Sequence, residues 1–247
     1  MAGSYLYKDQ EDKYDYVAEV FDTLIVRDIR KKYKIRNLLY LLIGIVVLST
    51  FKVNALLPLS GKTIVIDPGH GGKDPGTVSN SVYESDINLK ISKYLEYYLS
   101  TNGASVILTR NGNYDLSSPN IYNRKRSDFD NRIKIINNNN ADMYLSIHLN
   151  YLSDASYYGP QVFYNRKKDN NKLLAETIQN YLNTKTNTKR EIKNIPERTY
   201  MYNKLKPTGV LIECGFLSNY KEKQKLKSDN YQKKIAQYIT EAIIKFY

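Results

Sequence analysis

The stretch VIDPGHGGKDPG, Val65 to Gly76, decides the reading of this chain. An apolar, strand-like run, TIVID (63–67), stops at Pro68, which has no N–H for a sheet ladder. His70 follows at once, set among Gly69, Gly71 and Gly72. Glycine lets the backbone bend sharply and leaves room beside a neighbouring side chain. The pattern delivers an imidazole to the end of a buried strand and keeps the approach to it open. A glycine-rich loop before a helix can instead cradle phosphate, but this one has neither the GxGxxG nor the Walker A spacing.

Outward from this stretch the pattern alternates. TIVID (63–67), ASVILTR (104–110), MYLSIHLN (143–150), QVFYN (161–165) and TGVLIECGF (208–216) read as strands. Between and after them, Glu84–Ser100, Pro119–Asn139, Asn171–Asn183 and Tyr231–Phe246 read as helices. Ile87, Ile91, Leu95 and Leu99 mark one apolar face, and Leu174, Ile178 and Leu182 another. Strands alternating with helices predict an α/β domain over 61–247 with a largely parallel sheet.

The segment before Gly61 is different. Val17, Phe21, Leu24 and Ile25 fall at the spacing of a short amphipathic helix. A basic block, RKKYKIR (30–36), then precedes LLYLLIGIVVLSTF (38–51), fourteen residues without a charge. Basic residues before an apolar run place 1–36 in the cytoplasm and the rest of the chain outside. Fourteen helical residues rise only about 21 Å, short of a ~30 Å hydrocarbon core, though Lys52 can snorkel and extend the span. Residues 37–59 are therefore expected to be a membrane anchor or signal segment. Val53-Asn54-Ala55 resembles a cleavage site, but the long segment before the run favours a retained anchor. A buried core helix would leave the basic flank unexplained.

The net charge of +12 implies an anionic partner: nucleic acid, anionic lipid or an anionic polymer. Export across a membrane argues against nucleic acid. The single cysteine, Cys214, excludes an intramolecular disulfide.

The chain has two histidines, His70 and His148, and both stand at the C-terminal ends of predicted strands, where open α/β sheets bind ligands. Imidazole is the commonest zinc ligand, and a catalytic zinc site takes three protein ligands, so a carboxylate is the natural third. Two carboxylates stand out. Glu84 opens a helix, a place that also suits a plain N-terminal helix charge. Glu213 lies inside the apolar strand VLIECGF, where a carboxylate must face a metal, a cation or a water-filled cleft. Alternation turns Cys214 to the opposite face, into the core.

Four motifs in order, VIDPGHGGKDPG, YESDINL (83–89), LSIHLN (145–150) and LIECGFLSN (211–219), make Gly61–Tyr247 resemble the zinc-dependent N-acetylmuramoyl-L-alanine amidases of type 3, the AmiC-like family. The resemblance implies a twisted, mostly parallel six-stranded sheet with helices on both faces. It implies zinc held by His70, Glu84 and His148, with Glu213 as the catalytic carboxylate. The substrate would be peptidoglycan glycan strands bearing stem peptides. RKRSDFDNRIKIIN, SIHLN and GPQVFY look most like the spore-cortex branch, the CwlD-like amidases, which act on the way to muramic-δ-lactam. That branch would place the domain outside the cytoplasm, in the forespore intermembrane space, with an accessory protein supporting activity. Two other readings share the fold. A non-catalytic wall-binding scaffold would lack a ligand or the base, and a zinc peptidase of wall peptides would release different products. Some family members insert a long helical plug after the second-histidine strand. Here only YLSDASYYGP (151–160) separates Asn150 from Gln161, so an open site is expected.

Overall fold

The computed structural model describes the backbone of residues 3–247 and the side chains of Glu19, 22–47 and 57–247. The chain divides into two units, with the boundary between Leu56 and Leu57. The first is a single helix, α1 (Gly3–Leu56). The amphipathic segment and the apolar run are thus parts of one element, and Leu24 and Ile25, expected on one apolar face, are both about half exposed. Val17 and Phe21 lie outside the described side chains. So do 48–56 of the expected membrane segment. Among the described residues no helix is long and apolar enough to cross a membrane.

The second unit runs β1 (Thr63–Pro68), a small hairpin of β2 (Val78–Ser79) and β3 (Val82–Tyr83), α2 (Glu84–Thr101), β4 (Ser105–Leu108), α3 (Arg124–Asn138), β5 (Met143–Asn150), β6 (Gln161–Tyr164), α4 (Asp169–Thr186), β7 (Lys193–Asn194), β8 (Thr208–Phe216), α5 (Tyr220–Leu226) and α6 (Asp229–Phe246). Six strands form one sheet in the order β4-β1-β5-β8-β6-β7. Every neighbouring pair is parallel except β6 with β8. The expected six-stranded, mostly parallel sheet is therefore present.

Alternation along the central strands sorts the two faces. Ile64 and Ile66 of β1, Leu145 and Ile147 of β5, and Val210 and Ile212 of β8 point to one side. There they bury against α2, α4 and α6, whose Ile91, Leu95, Leu174, Ile178, Ile239 and Ile243 are fully buried. Val65 and Tyr144 point to the other side and meet Ile136 of α3 with Met201 and Leu205. Helices thus cover both faces, as a parallel sheet with two apolar faces requires. By the same period of two, Asp67, His148 and Glu213 belong to the α3 side.

Some boundaries differ from the sequence reading. The helix expected from Pro119 starts at Arg124, because the Asn123 side chain accepts the Arg126 N–H and caps it there. The strand expected through Arg110 stops at Leu108. The two-residue strands and α5 had no readable period. The 151–160 connection contains only turns and bends, so no helical plug is inserted there.

Gly209 in β8 lies against Tyr144 of β5. A Cβ there would sit 2.2 Å from the Tyr144 ring and 2.4 Å from its carbonyl oxygen. Neither can yield, since Tyr144 is buried and its backbone is in the sheet. Gly209→Ala is expected to lower unfolding free energy by roughly 1–3 kcal/mol or more, measured by denaturant titration. An unchanged midpoint would refute this account of the β5–β8 packing.

Candidate active site

His70 lies two residues beyond β1, where the chain turns out of the sheet. Its backbone is left-handed, with φ 62°, a conformation that costs a non-glycine residue roughly 1–2 kcal/mol. Gly71 and Gly72 follow with φ 130° and 58°. The reversal turns the His70 ring back over the sheet edge. There its Nδ1 is 3.0 Å from Asp74 Oδ2 and its Nε2 is 3.2 Å from Glu84 Oε1.

Glu84 is the first residue of α2. Its Oε1 lies 3.0 Å from His148 Nδ1 and accepts the Leu149 N–H at 3.1 Å and an Asn88 Nδ2 hydrogen at 3.2 Å. Its Oε2 accepts the Thr77 N–H at 2.9 Å. His148 comes from β5, and the two imidazoles meet edge to face with centroids 5.0 Å apart. The glycines provide the space. A Cβ at Gly69 would lie 2.2 Å from the His148 ring, and one at Gly76 would lie 2.7 Å from both Glu84 Oε2 and the His70 ring.

Charge on this cluster is strongly biased. Burial would raise the Glu84 carboxyl, but the hydrogen bonds and charges of His148 and His70 outweigh it and hold the group far below the carboxylate range. Burial would likewise lower His70, yet Glu84 and Asp74 together raise it.

Glu213 stands on β8 in register with His148 of β5. With His70, His148 and Asp74 it lines one cavity of about 240 Å³. Its Oε2 is buried and has no hydrogen-bond partner among the described residues. Burial, reinforced by the negative charge of Glu84 and opposed by His70, pushes this carboxyl up to about 8. A cation in the cluster would act the other way. Cys214, one residue on, packs into the opposite core, and burial raises its thiol well above the usual range. A wider groove of about 620 Å³, bordered by Tyr158, Lys185, Lys225 and Tyr238, includes none of these residues.

Beneath the site lies a charge network absent from the sequence reading. Asp67, 1% exposed, accepts from Arg132 Nη1 at 2.6 Å, Thr109 Oγ1 at 2.6 Å and Ser146 Oγ at 3.0 Å. Arg132 also donates to Asp128 at 2.8 Å, and to the carbonyls of Pro68 and His70, both at 2.8 Å. Asp67 is ionised, so the one Ser146 proton goes to it. The Tyr202 hydroxyl, 3.1 Å from Ser146 Oγ, must then be the donor in that contact. Its proton is therefore engaged and is not free to polarise a ligand in the cavity.

The residues fit a zinc ion. One atom each from His70, Glu84 and His148 lie within 4.8 Å of one another. The 3.0 and 3.2 Å separations from Glu84 Oε1 to the two nitrogens approach the ~3.3 Å edges of a tetrahedron with zinc–ligand bonds near 2.0–2.1 Å. Asp74 on His70 Nδ1 leaves Nε2 turned toward the cluster, the outer support that metal-ligating histidines commonly have. All four residues singled out in the sequence thus come together. The local sequence pattern does not single out Asp67, Asp74, Asn88 or Arg132, whereas a basic residue closing an apolar strand, Arg110 in VILTR, is a readable signal.

The fold and the donor set together define an α/β enzyme domain with a two-histidine, one-carboxylate centre at the sheet edge. The model of the N-acetylmuramoyl-L-alanine amidase family matches residues 64–245. The chain is 40% identical over 195 residues to the germination-specific N-acetylmuramoyl-L-alanine amidase of Bacillus subtilis, covering 77% of this chain and 82% of that protein. The CwlD amidase of Clostridioides difficile, solved in complex with the GerS lipoprotein, superimposes with a TM-score of 0.72 at 39% identity, over 75% of this chain and 98% of that one. The catalytic domain of the amidase CwlV from Bacillus (Paenibacillus) polymyxa gives a TM-score of 0.65 at 30% identity, over 75% and 97%. The chain belongs to the N-acetylmuramoyl-L-alanine amidase family and is an enzyme of that class.

The Asp67–Arg132 pair generates a pH-dependent prediction. Burial would raise Asp67, but Arg132 and Thr109 outweigh it and hold the carboxyl below its ordinary value. A folded pKa below the unfolded ~3.9 stabilises the protein fully above that value, and the contribution disappears as pH falls through the folded pKa. Asp67→Asn leaves Arg132 buried with half its neutralising charge and is expected to cost about 3–5 kcal/mol at pH 7. The gap between wild type and variant should narrow as denaturant titrations move from pH 7 to pH 3. A constant gap would contradict the ionised pair.

Proposed function

We propose that the chain cleaves the amide between N-acetylmuramic acid and L-alanine in peptidoglycan, with zinc held by His70, Glu84 and His148 and with Glu213 as the catalytic carboxylate. The observation that carries this reading is the three-donor cluster whose two histidines share a cavity with Glu213, a buried carboxylate whose Oε2 has no partner among the described residues. When bound there, zinc supplies Lewis acidity, which polarises a carbonyl and acidifies water.

The chain's own residues do the rest. Glu213 takes the proton of the attacking water and passes it to the departing alanine nitrogen. Its buried position keeps its proton affinity close to that of its task. Asp74 fixes the tautomer of His70. Leu149 N–H, Asn88 and Thr77 N–H hold both oxygens of Glu84, so the carboxylate cannot swing away.

We assign the substrate to spore cortex, as a step toward muramic-δ-lactam. The similarity to a germination-specific amidase and to CwlD supports this, and the lipoprotein seen with CwlD supports an accessory protein here. Residues 37–59 serve as a membrane anchor behind the basic block 30–36, with 61–247 outside the cytoplasm. A scaffold reading is disfavoured because no member of the constellation is missing, and product analysis separates an amidase from a zinc peptidase.

Two outcomes are expected. Glu213→Gln should retain zinc, measured by metal analysis, while turnover falls about 10²–10⁴-fold, whereas His148→Ala should lose both. Near-normal turnover in Glu213→Gln would remove its assigned role. Digests of purified cortex and vegetative peptidoglycan should release stem peptides with new L-alanine amino termini and leave intact muramic acid with a free lactyl carboxylate, with cortex the better substrate by mass analysis. Preference for vegetative wall would overturn the spore assignment.

A further inference from the structure

Arg110 is 1% exposed, and its hydrogen bonds all end on backbone carbonyls. Nε donates to Pro68 O at 2.9 Å. Nη2 donates to Gly69 O at 2.8 Å and to Ser85 O at 2.9 Å, and Nη1 to Gly112 O at 2.9 Å. Among the described residues it forms no ion pair, unlike Arg132, which has Asp67 and Asp128. Burying a guanidinium without a carboxylate is costly, so the geometry it enforces needs a reason.

The acceptors supply one. Pro68 and Gly69 are the two residues before His70, and Ser85 is the residue after Glu84. One planar group therefore ties the loop carrying one proposed ligand to the helix start carrying another. These segments come from different elements, and apart from Arg110 they are joined by a few further hydrogen bonds, among them those of the Glu84 carboxylate with His70 and the Thr77 N–H. Thr77 O and Pro75 O accept the N–H groups of Glu84 and Ser85, and Asn88 reaches Gly69 O at 3.3 Å. The loop is seated on Arg110 closely enough that a Cβ at Gly71 would lie 2.9 Å from its Nε. The planar fork of arginine fixes the angles among its acceptors, which a lysine ammonium cannot do.

Resting on the zinc reading above, we infer that Arg110 is a positioning residue that sets the separation of His70 and Glu84 and thereby the metal affinity of the site. It touches neither substrate nor metal. Its effect reaches the site only through the backbone of residues 68–70 and 84–85.

The test uses the full chain and zinc alone, with affinity from competition against a chelator. The visible spectrum of the cobalt-loaded protein reports ligand geometry. Arg110→Gln and Arg110→Lys are compared with Leu182→Ala, a fully buried core position on α4, and unfolding of each metal-free protein is recorded. Both Arg110 variants should bind zinc about 10–100-fold more weakly with an altered cobalt spectrum. Leu182→Ala should unfold at lower temperature with zinc affinity and spectrum unchanged. Folded Arg110 variants with wild-type affinity and spectrum, while His148→Ala abolishes binding, overturn the inference alone. Binding that His148→Ala leaves intact overturns it together with the zinc reading. Failure of both Arg110 variants to fold assigns the residue to the fold and also overturns the inference.

Discussion

Where β1 leaves the sheet, the carbonyls of the buried Pro68 and Gly69 and of the half-buried His70 lie at a point where the chain bends away from its strand partners. Buried carbonyls must find donors. Arg110 and Arg132 supply them from the end of β4 and from α3. The rest of the site depends on this. The held carbonyls support the left-handed turn at His70, and that turn aims the imidazole back at Glu84 and His148. Asp67 and Asp128 then balance Arg132. Arg132, placed for backbone geometry, thus brings acidic partners into the layer directly under the candidate site.

Space is the second constraint. Four side chains, His70, Glu84, His148 and Glu213, converge from the end of β1, from α2, from β5 and from β8, and three of them line one small cavity. Such crowding is tolerable only where the neighbouring backbone carries no side chains. Gly69 and Gly76 meet that need directly, since a Cβ at either would overlap the His148 ring or Glu84. Gly71, Gly72 and Gly76 also have positive φ, and a Cβ at Gly71 or Gly72 would meet Tyr114 and Asp115. One short glycine-rich stretch therefore performs two jobs, steric at Gly69 and both steric and conformational at the other three positions.

The site also divides its charges by face. Alternation puts Glu213 and Cys214 on opposite sides of β8, so the carboxylate faces polar neighbours while the thiol sits in the apolar core with Ile212 and Val210. The raised proton affinity of Glu213 and the depressed one of Glu84 have different origins, although the two carboxylates are close enough to interact. Glu84 is surrounded by hydrogen-bond donors, whereas Glu213 Oε2 has none among the described residues.

Sequence by itself determined the strand ends that bear His70 and His148, the helix that opens on Glu84 and the anomalous carboxylate in β8, because each is a local departure from a strong hydrophobic period. It determined the α/β class for the same reason. Only the tertiary structure decided the supporting layer. Arg132 reads as one polar residue in a polar helix, and nothing in its local pattern reveals that it lies 2.6 Å from Asp67, 65 positions away. Asp74 and Asn88 are equally ordinary in sequence. The start of α3 at Arg124 rests on a side-chain cap that the stretch NIYN (120–123), with an asparagine at each end, does not single out. Partners that meet across distant elements are set by how the layers pack, and that packing leaves no period for a single segment to display.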